Sequence, residues 1–164
     1  MPARLPEAEH AMRRAFICPS KYVQGENELL NLGYFVRQYG TKALLVATES
    51  SVNRVRQTLD ATAAKFGVTF VETEFQGECS RVEIARLGEL ARQHSCNCTV
   101  GLGGGKALDT ARCVAAGQGV IVVPTTAATD APTSHSAVIY TPDGEMEDYA
   151  YFPRNPDVVL MDVS

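Results

Sequence analysis

The chain has no apolar run long enough to cross a bilayer; its longest, such as Ala43 to Ala47 and Val120 to Val123, are strand-sized. A membrane is therefore not an expected partner. No stripe of lysine or arginine is present either. The net charge of −4 comes from interspersed acids and bases, which leaves no electrostatic footprint for nucleic acid. A disulfide framework is also missing. The five cysteines (Cys18, Cys79, Cys96, Cys98 and Cys113) are odd in number and irregularly spaced, as expected of reduced, mostly buried thiols. Cys96 and Cys98 have neither a second pair nor a nearby histidine to complete a zinc site. The opening residues MPARLPEAEHAMRRAF lack the continuous apolar segment of a secretory signal, so a cytoplasmic location is expected. There is no internal repeat and no low-complexity segment.

What is present is 164 residues, 45% of them hydrophobic, enough for one sizeable core. Residues 1–13 read as an N-terminal extension and 14–164 as one α/β domain. From Lys42 onward, short apolar runs alternate with amphipathic stretches. That pattern predicts a Rossmann-like parallel sheet with flanking helices. Strands are expected at Lys42–Thr48, Val68–Phe75, Thr99–Leu102, Val120–Val123 and Val158–Met161, with an opening strand and turn over Phe16–Val23. Helices are expected over Glu26–Tyr39, from a cap at Ser50 to Gly67, after a capping box of Ser80 with Glu83, and over Lys106–Ala116. Pro142-Asp143-Gly144, between Ala137–Thr141 and Met146–Phe152, is turn chemistry for a β-hairpin.

Gly101-Leu-Gly-Gly-Gly-Lys106 falls between a predicted strand and a predicted helix, where backbone N–H groups and the positive helix end can hold a phosphate. The alternative is a tight turn that merely needs glycine. The loop is not a Walker loop, because Ala107 stands where Ser or Thr would bind magnesium. Glu49 follows a predicted strand at the same carboxyl edge. It is placed to accept hydrogen bonds from an adenosine ribose, or to serve as a first-turn helix acid; the ribose role would favour NAD over NADP.

The loop PTTAATDAPTS at 124–134 also leaves the carboxyl edge. With GLGGGKALDTA at 101–111, VIYTPDGE at 138–145, PRNPDVVLMD at 153–162, CPSKYVQG at 18–25 and FQGECS at 75–80, it resembles the glycerol dehydrogenases of the metal-dependent group III, or iron-containing, alcohol dehydrogenase family. The resemblance covers nearly everything after about residue 14. It implies cofactor pyrophosphate contacts at Gly103, Gly104 and Lys106. Thr125, Ser134 and Tyr140 would line the adenine and nicotinamide sides of the cleft. Asp130 would contact glycerol or a similar small polyol, as a carboxylate beside the nicotinamide can; without the resemblance, Asp130 also reads as a turn cap. The chain departs from the family pattern at Thr126, Ala128, Thr133 and His135-Ser136, so no cofactor contact is carried over to positions 128 and 136, and His135 reads first as a solvated loop residue.

The family's catalytic metal, zinc or another divalent ion, is held by an aspartate and two histidines in a following helical domain, and no such motif occurs here. The expectation is a truncated, NAD-binding half with little or no turnover, forming homo-oligomers through apolar surface. The competing readings are a non-catalytic nucleotide-binding module and a dehydrogenase for another small diol. A glycerol phosphate substrate would need a cation near Asp130, where the loop has no lysine or arginine.

Overall fold

The computed structural model describes residues 16–164; the extension expected at 1–13, with His10, lies outside them. Among the described residues, eight strands and four α-helices follow in chain order. They are β1 (Lys21–Gly25), α1 (Leu32–Arg37), β2 (Lys42–Ala47), α2 (Glu49–Phe66), β3 (Thr69–Glu74), α3 (Arg81–Gln93), β4 (Cys98–Gly103), α4 (Gly105–Ala115), β5 (Gly119–Pro124), β6 (Ser136–Tyr140), β7 (Met146–Tyr151) and β8 (Val158–Asp162). Six strands form one parallel sheet in the order β1-β8-β5-β4-β2-β3, while β6 and β7 make a separate antiparallel hairpin.

Successive residues of a strand point to opposite faces, and β2 shows what that does here. Leu45 joins Leu32, Val36, Leu59 and Ile121 in a core under α1 and α2. Its neighbours Leu44 and Val46 join Leu87, Leu108 and Ala111 in a second core under α3 and α4. Strands β4 and β5 are buried along their whole length, as near-continuous apolar runs in a two-sided parallel sheet should be.

Four local details differ from the sequence reading. Helix α2 is capped by Thr48, whose hydroxyl accepts from the Ser51 N–H, rather than by Ser50. At α3 only half of the capping box forms. Ser80 accepts from the Glu83 N–H, but the Glu83 carboxylate takes the Gln76 N–H and the Arg86 guanidinium instead of reaching back. The helix expected over Glu26–Tyr39 is a 3-10 turn at Glu28–Asn31 followed by short α1. Its start is displaced because Asn27 takes a left-handed φ of 60° and the Asp162 carboxylate accepts the Asn27 and Leu29 N–H groups. The opening strand runs later than expected, since parallel pairing with β8 sets Lys21 opposite Val158. All five cysteines are free thiols; Cys79 and Cys98 are buried and Cys18 is exposed.

Candidate functional site

The chain runs outward from β2 to β3 and then returns past β2 to β4, so the carboxyl ends of β2 and β4 frame the point where strand order reverses. Ligands of open α/β sheets bind in the crevice at such a point. A cleft of about 240 Å³ opens there, lined by Thr48 and Ser51 from the start of α2, Phe75 and Gly77 after β3, and Gly103 to Lys106.

The three consecutive glycines are not equivalent. Gly103 has φ 144°, a backbone that residues with a Cβ rarely adopt. At Gly105, an added Cβ would stand 2.8 Å from Thr129 Oγ1, so the close approach of the second loop requires glycine. Gly104 has φ −86°, and its added Cβ would make only an ordinary 3.6 Å contact with Thr126. The fold itself therefore does not require glycine at 104.

The helix ends agree. Side chains cap α2 and α3, whereas no side chain caps the first turn of α4 behind Gly104. Its first-turn N–H groups carry no side-chain cap, and together with the positive dipole end they line the cleft, as a helix terminus that can hold an anion does. Lys106 lies beside it, with its ammonium 2.5 Å from Glu78 Oε1 and 5.1 Å from the centre of the Tyr140 ring. Tyr140 is placed by its N–H, which donates to the Cys79 carbonyl. Glycine loop, lysine and tyrosine are thus brought together, and Glu78 is an addition that the sequence motif FQGECS contained but its reading did not single out.

Glu49 is exposed in the first turn of α2, where it lines a neighbouring cleft of about 250 Å³ with Asn53, Arg56 and Glu72 along the same sheet edge. Thr125 is exposed, and its N–H donates to the Gly103 carbonyl at 3.0 Å. Ser134 points inward: its hydroxyl donates to the Ser136 carbonyl at 2.9 Å. Asp130 occupies the cap position of the 3-10 turn Ala131–Thr133 without making a side-chain cap bond, so its exposed carboxylate is not committed to the turn. His135 is exposed, with its ring 6.2 Å from that of Tyr151.

The second loop is held from below by residues that sequence reasoning passed over. Arg112 of α4 is 3% exposed and donates to the carbonyls of Ala131, Ser134 and Ser136. Asp109, one turn earlier, accepts the Val138 N–H at 3.0 Å and lies 3.5 Å from the Arg112 guanidinium. Burial pushes the Asp109 carboxyl up to about 6, against the pull of the Val138 N–H and Arg112, and it pulls the Arg112 guanidinium down. Asn155, just before β8, donates to the Thr133 carbonyl at 2.8 Å. The sequence signal was there: Asp109 and Arg112 interrupt a helix face otherwise made of Ala107, Leu108, Ala111 and Ala115, all buried.

A larger cavity, about 540 Å³, lies elsewhere, between α3, the end of α4 and β7, with Ile84, Cys113, Ala150 and Phe152 in its walls. Its walls hold none of the candidate cofactor- or substrate-binding residues. Among the described residues, no three His, Cys, Asp or Glu side chains converge as metal ligands. These residues do not fit the divalent metal that the resemblance implies. Nor is any helix among them long and apolar enough to cross a membrane.

An open parallel sheet with an uncapped glycine loop at its switch point defines a Rossmann-like α/β domain. Residues 19–163 match the family model described as iron-containing alcohol dehydrogenase, and the chain belongs to that family. It is 40% identical over 155 residues to a glycerol dehydrogenase of Pseudomonas putida, a match spanning 93% of this chain and 42% of that protein. It is 39% identical over 153 residues to a glycolaldehyde reductase of Halobacterium salinarum, across 92% of this chain and 42% of the relative. The solved structure of glycerol dehydrogenase from Schizosaccharomyces pombe superposes with a TM-score of 0.81 at 34% identity, covering 95% of this chain and 40% of that one. The chain thus spans about two-fifths of the length of the relatives it matches.

Proposed function

We propose that the chain is the NAD-binding half of a glycerol dehydrogenase. The observation that carries this reading is the pairing of Gly104, a glycine the fold does not need, with the helix end behind it that no side chain caps. The first-turn N–H groups of α4 and the Lys106 ammonium would donate to the pyrophosphate of the dinucleotide. Glu49 accepts the hydroxyls of the adenosine ribose and repels a 2'-phosphate, which favours NAD over NADP. Tyr140 and Thr125 flank the cleft, and Ser134 acts through its inward hydrogen bond. Asp130 accepts hydrogen bonds from the hydroxyls of the polyol and orients its reacting carbon. NAD held there would supply the hydride acceptor for that carbon, with the proton of its hydroxyl passing to solvent. The zinc or other divalent metal of the whole family enzyme has no ligand set among the described residues, so no step is drawn through it here. By itself the chain turns glycerol over slowly or not at all, and it associates with further copies of itself.

A second substrate reading, a small diol or hydroxyaldehyde other than glycerol, is supported by the match to the glycolaldehyde reductase. Asp130 would serve either, because both offer a hydroxyl next to the reacting carbon. Calorimetric titration of the chain with NAD and NADP tests the cofactor assignment. NAD should bind more tightly than NADP, and Lys106→Ala should weaken NAD by at least about tenfold, the loss of a charge-assisted contact. Equal affinity for the two would remove Glu49 from the site, and no binding of either would overturn the nucleotide reading. Robust glycerol-dependent NADH formation by the chain in the presence of zinc would contradict its low turnover.

A further inference from the structure

Helix α4 touches the second loop at both of the loop's ends. At the start of the helix, the ideal Cβ positions of Gly104 and Gly105 lie 3.6 Å and 2.8 Å from Thr126 and Thr129 side-chain atoms. Thr129 Oγ1 in turn accepts the Ala131 N–H at 3.1 Å. Two turns along the same helix, Arg112 donates to three carbonyls of residues 131–136, and Asp109 accepts the Val138 N–H. Asp130 stands between these two anchorages.

Burying a guanidinium this deeply costs free energy that an apolar side chain would not incur. Part of that cost is visible, since Arg112 Nε and Asp109 Oδ1 are buried without a hydrogen-bond partner. Leucine or methionine would fill the same space, but neither can hold three carbonyls of an irregular loop in one geometry. A planar fork of five donors can.

We infer that Asp109 and Arg112 are a positioning pair that makes α4 a single template, fixing the Asp130 loop relative to the phosphate cradle at the other end of the same helix. The inference rests on the proposed function for what Asp130 does, though not for how it is held. Nucleotide settling on the first turn of α4 then meets a loop already registered to it, and Asp130 keeps its distance from the reacting end of the dinucleotide without contacts of its own. The groups facing Asp109 are Arg112 and Cys113 on its own helix, Asp130 on the loop and Cys79 ahead of α3.

Amide exchange and chemical shifts of the isotope-labelled full chain, with and without NAD, test this. Compared with the wild type, Arg112→Met should speed exchange at Thr129–Val138 at least about tenfold more than it speeds exchange at Gly103–Lys106. Arg112→Lys, which keeps a cationic donor, should recover part of the loop's protection. Val138 exchange, corrected for its intrinsic pH dependence, should change near pH 6 in the wild type and not in Asp109→Asn. Unchanged loop protection in Arg112→Met would overturn the inference. So would equal loss of protection at the loop and the glycine cradle in both Arg112 variants, because that is the behaviour of a merely structural pair. Absence of any NAD response in the wild type would overturn the nucleotide reading instead, and the exchange rates without NAD still decide the role of the pair.

Discussion

The two loops that meet at the carboxyl edge of the sheet are built on opposite principles. Gly103 to Lys106 is shaped by backbone: one positive φ, one close approach, one open position and an uncapped helix end, all within four residues. Thr125 to Ser136 is shaped by side chains that arrive from far away in sequence, with Arg112 beneath it and Asn155 at its flank. A loop of the first kind can be altered only where its own residues allow. A loop of the second kind can be displaced without touching any of its residues.

The largest effect should come from the distant support. Arg112→Met leaves Asp109 buried beside no counter-charge and three carbonyls without their donor, and should cost about 3–5 kcal/mol in urea denaturation. A loss near zero would mean that the hydroxyl-rich loop holds itself, and the contrast between the loops would disappear.

Within the glycine loop, the contrast predicts a split. Gly103→Ala forces a side chain into φ 144° and should cost about 1–3 kcal/mol. Gly104→Ala, with an allowed φ and an ordinary contact, should cost less than about 1 kcal/mol. Thermal unfolding of the two variants side by side checks the order; equal costs would make Gly104 another structural glycine.

Asp109 gives the support a pH signature. Its carboxyl ionises near 6 in the folded chain and near 3.8 when exposed, so between those values the folded chain binds the extra proton. Its stabilising contribution is fully present below about pH 4 and is lost as pH rises through 6, on the order of 1–3 kcal/mol. Denaturation of wild type and Asp109→Asn across pH 4 to 7 should therefore show the wild type losing about 1–3 kcal/mol relative to the variant as pH rises from 4 to 6, with parallel curves above. Curves parallel throughout would place Asp109 in a more solvated setting than its burial indicates.

The smallest effect on stability should be at Glu49, which is exposed and unpaired in its first turn. Glu49→Gln should change stability by no more than about 0.5 kcal/mol while narrowing the preference for NAD over NADP. Retained discrimination would assign it to other residues.

The same contrast explains what could be read from the sequence. Strands β2, β4 and β5 and helices α2 to α4 were legible because each buries a continuous run or a periodic face. The glycine loop was legible because its chemistry is local. Ser50 was chosen over Thr48 because both are hydroxyl residues within one turn, and only the extended φ and ψ of Thr48 mark it as the cap. The break in the helix after Glu26 depends on Asp162, more than a hundred residues away. Glu78, Asp109, Arg112 and Asn155 were missed for a related reason: each acts through a partner on another element. Buried charge on an apolar helix face was the one local signal that Asp109 and Arg112 offered.

The account depends on Gly104 being open for a ligand rather than for the fold, and calorimetric titration of NAD into the wild type and into Gly104→Ala tests that most directly. Wild type should bind and the folded variant should bind at least about tenfold more weakly, since a single Cβ then stands where the pyrophosphate must approach. Equal NAD affinity in two equally stable proteins would contradict the phosphate cradle and return the glycine loop to a tight turn.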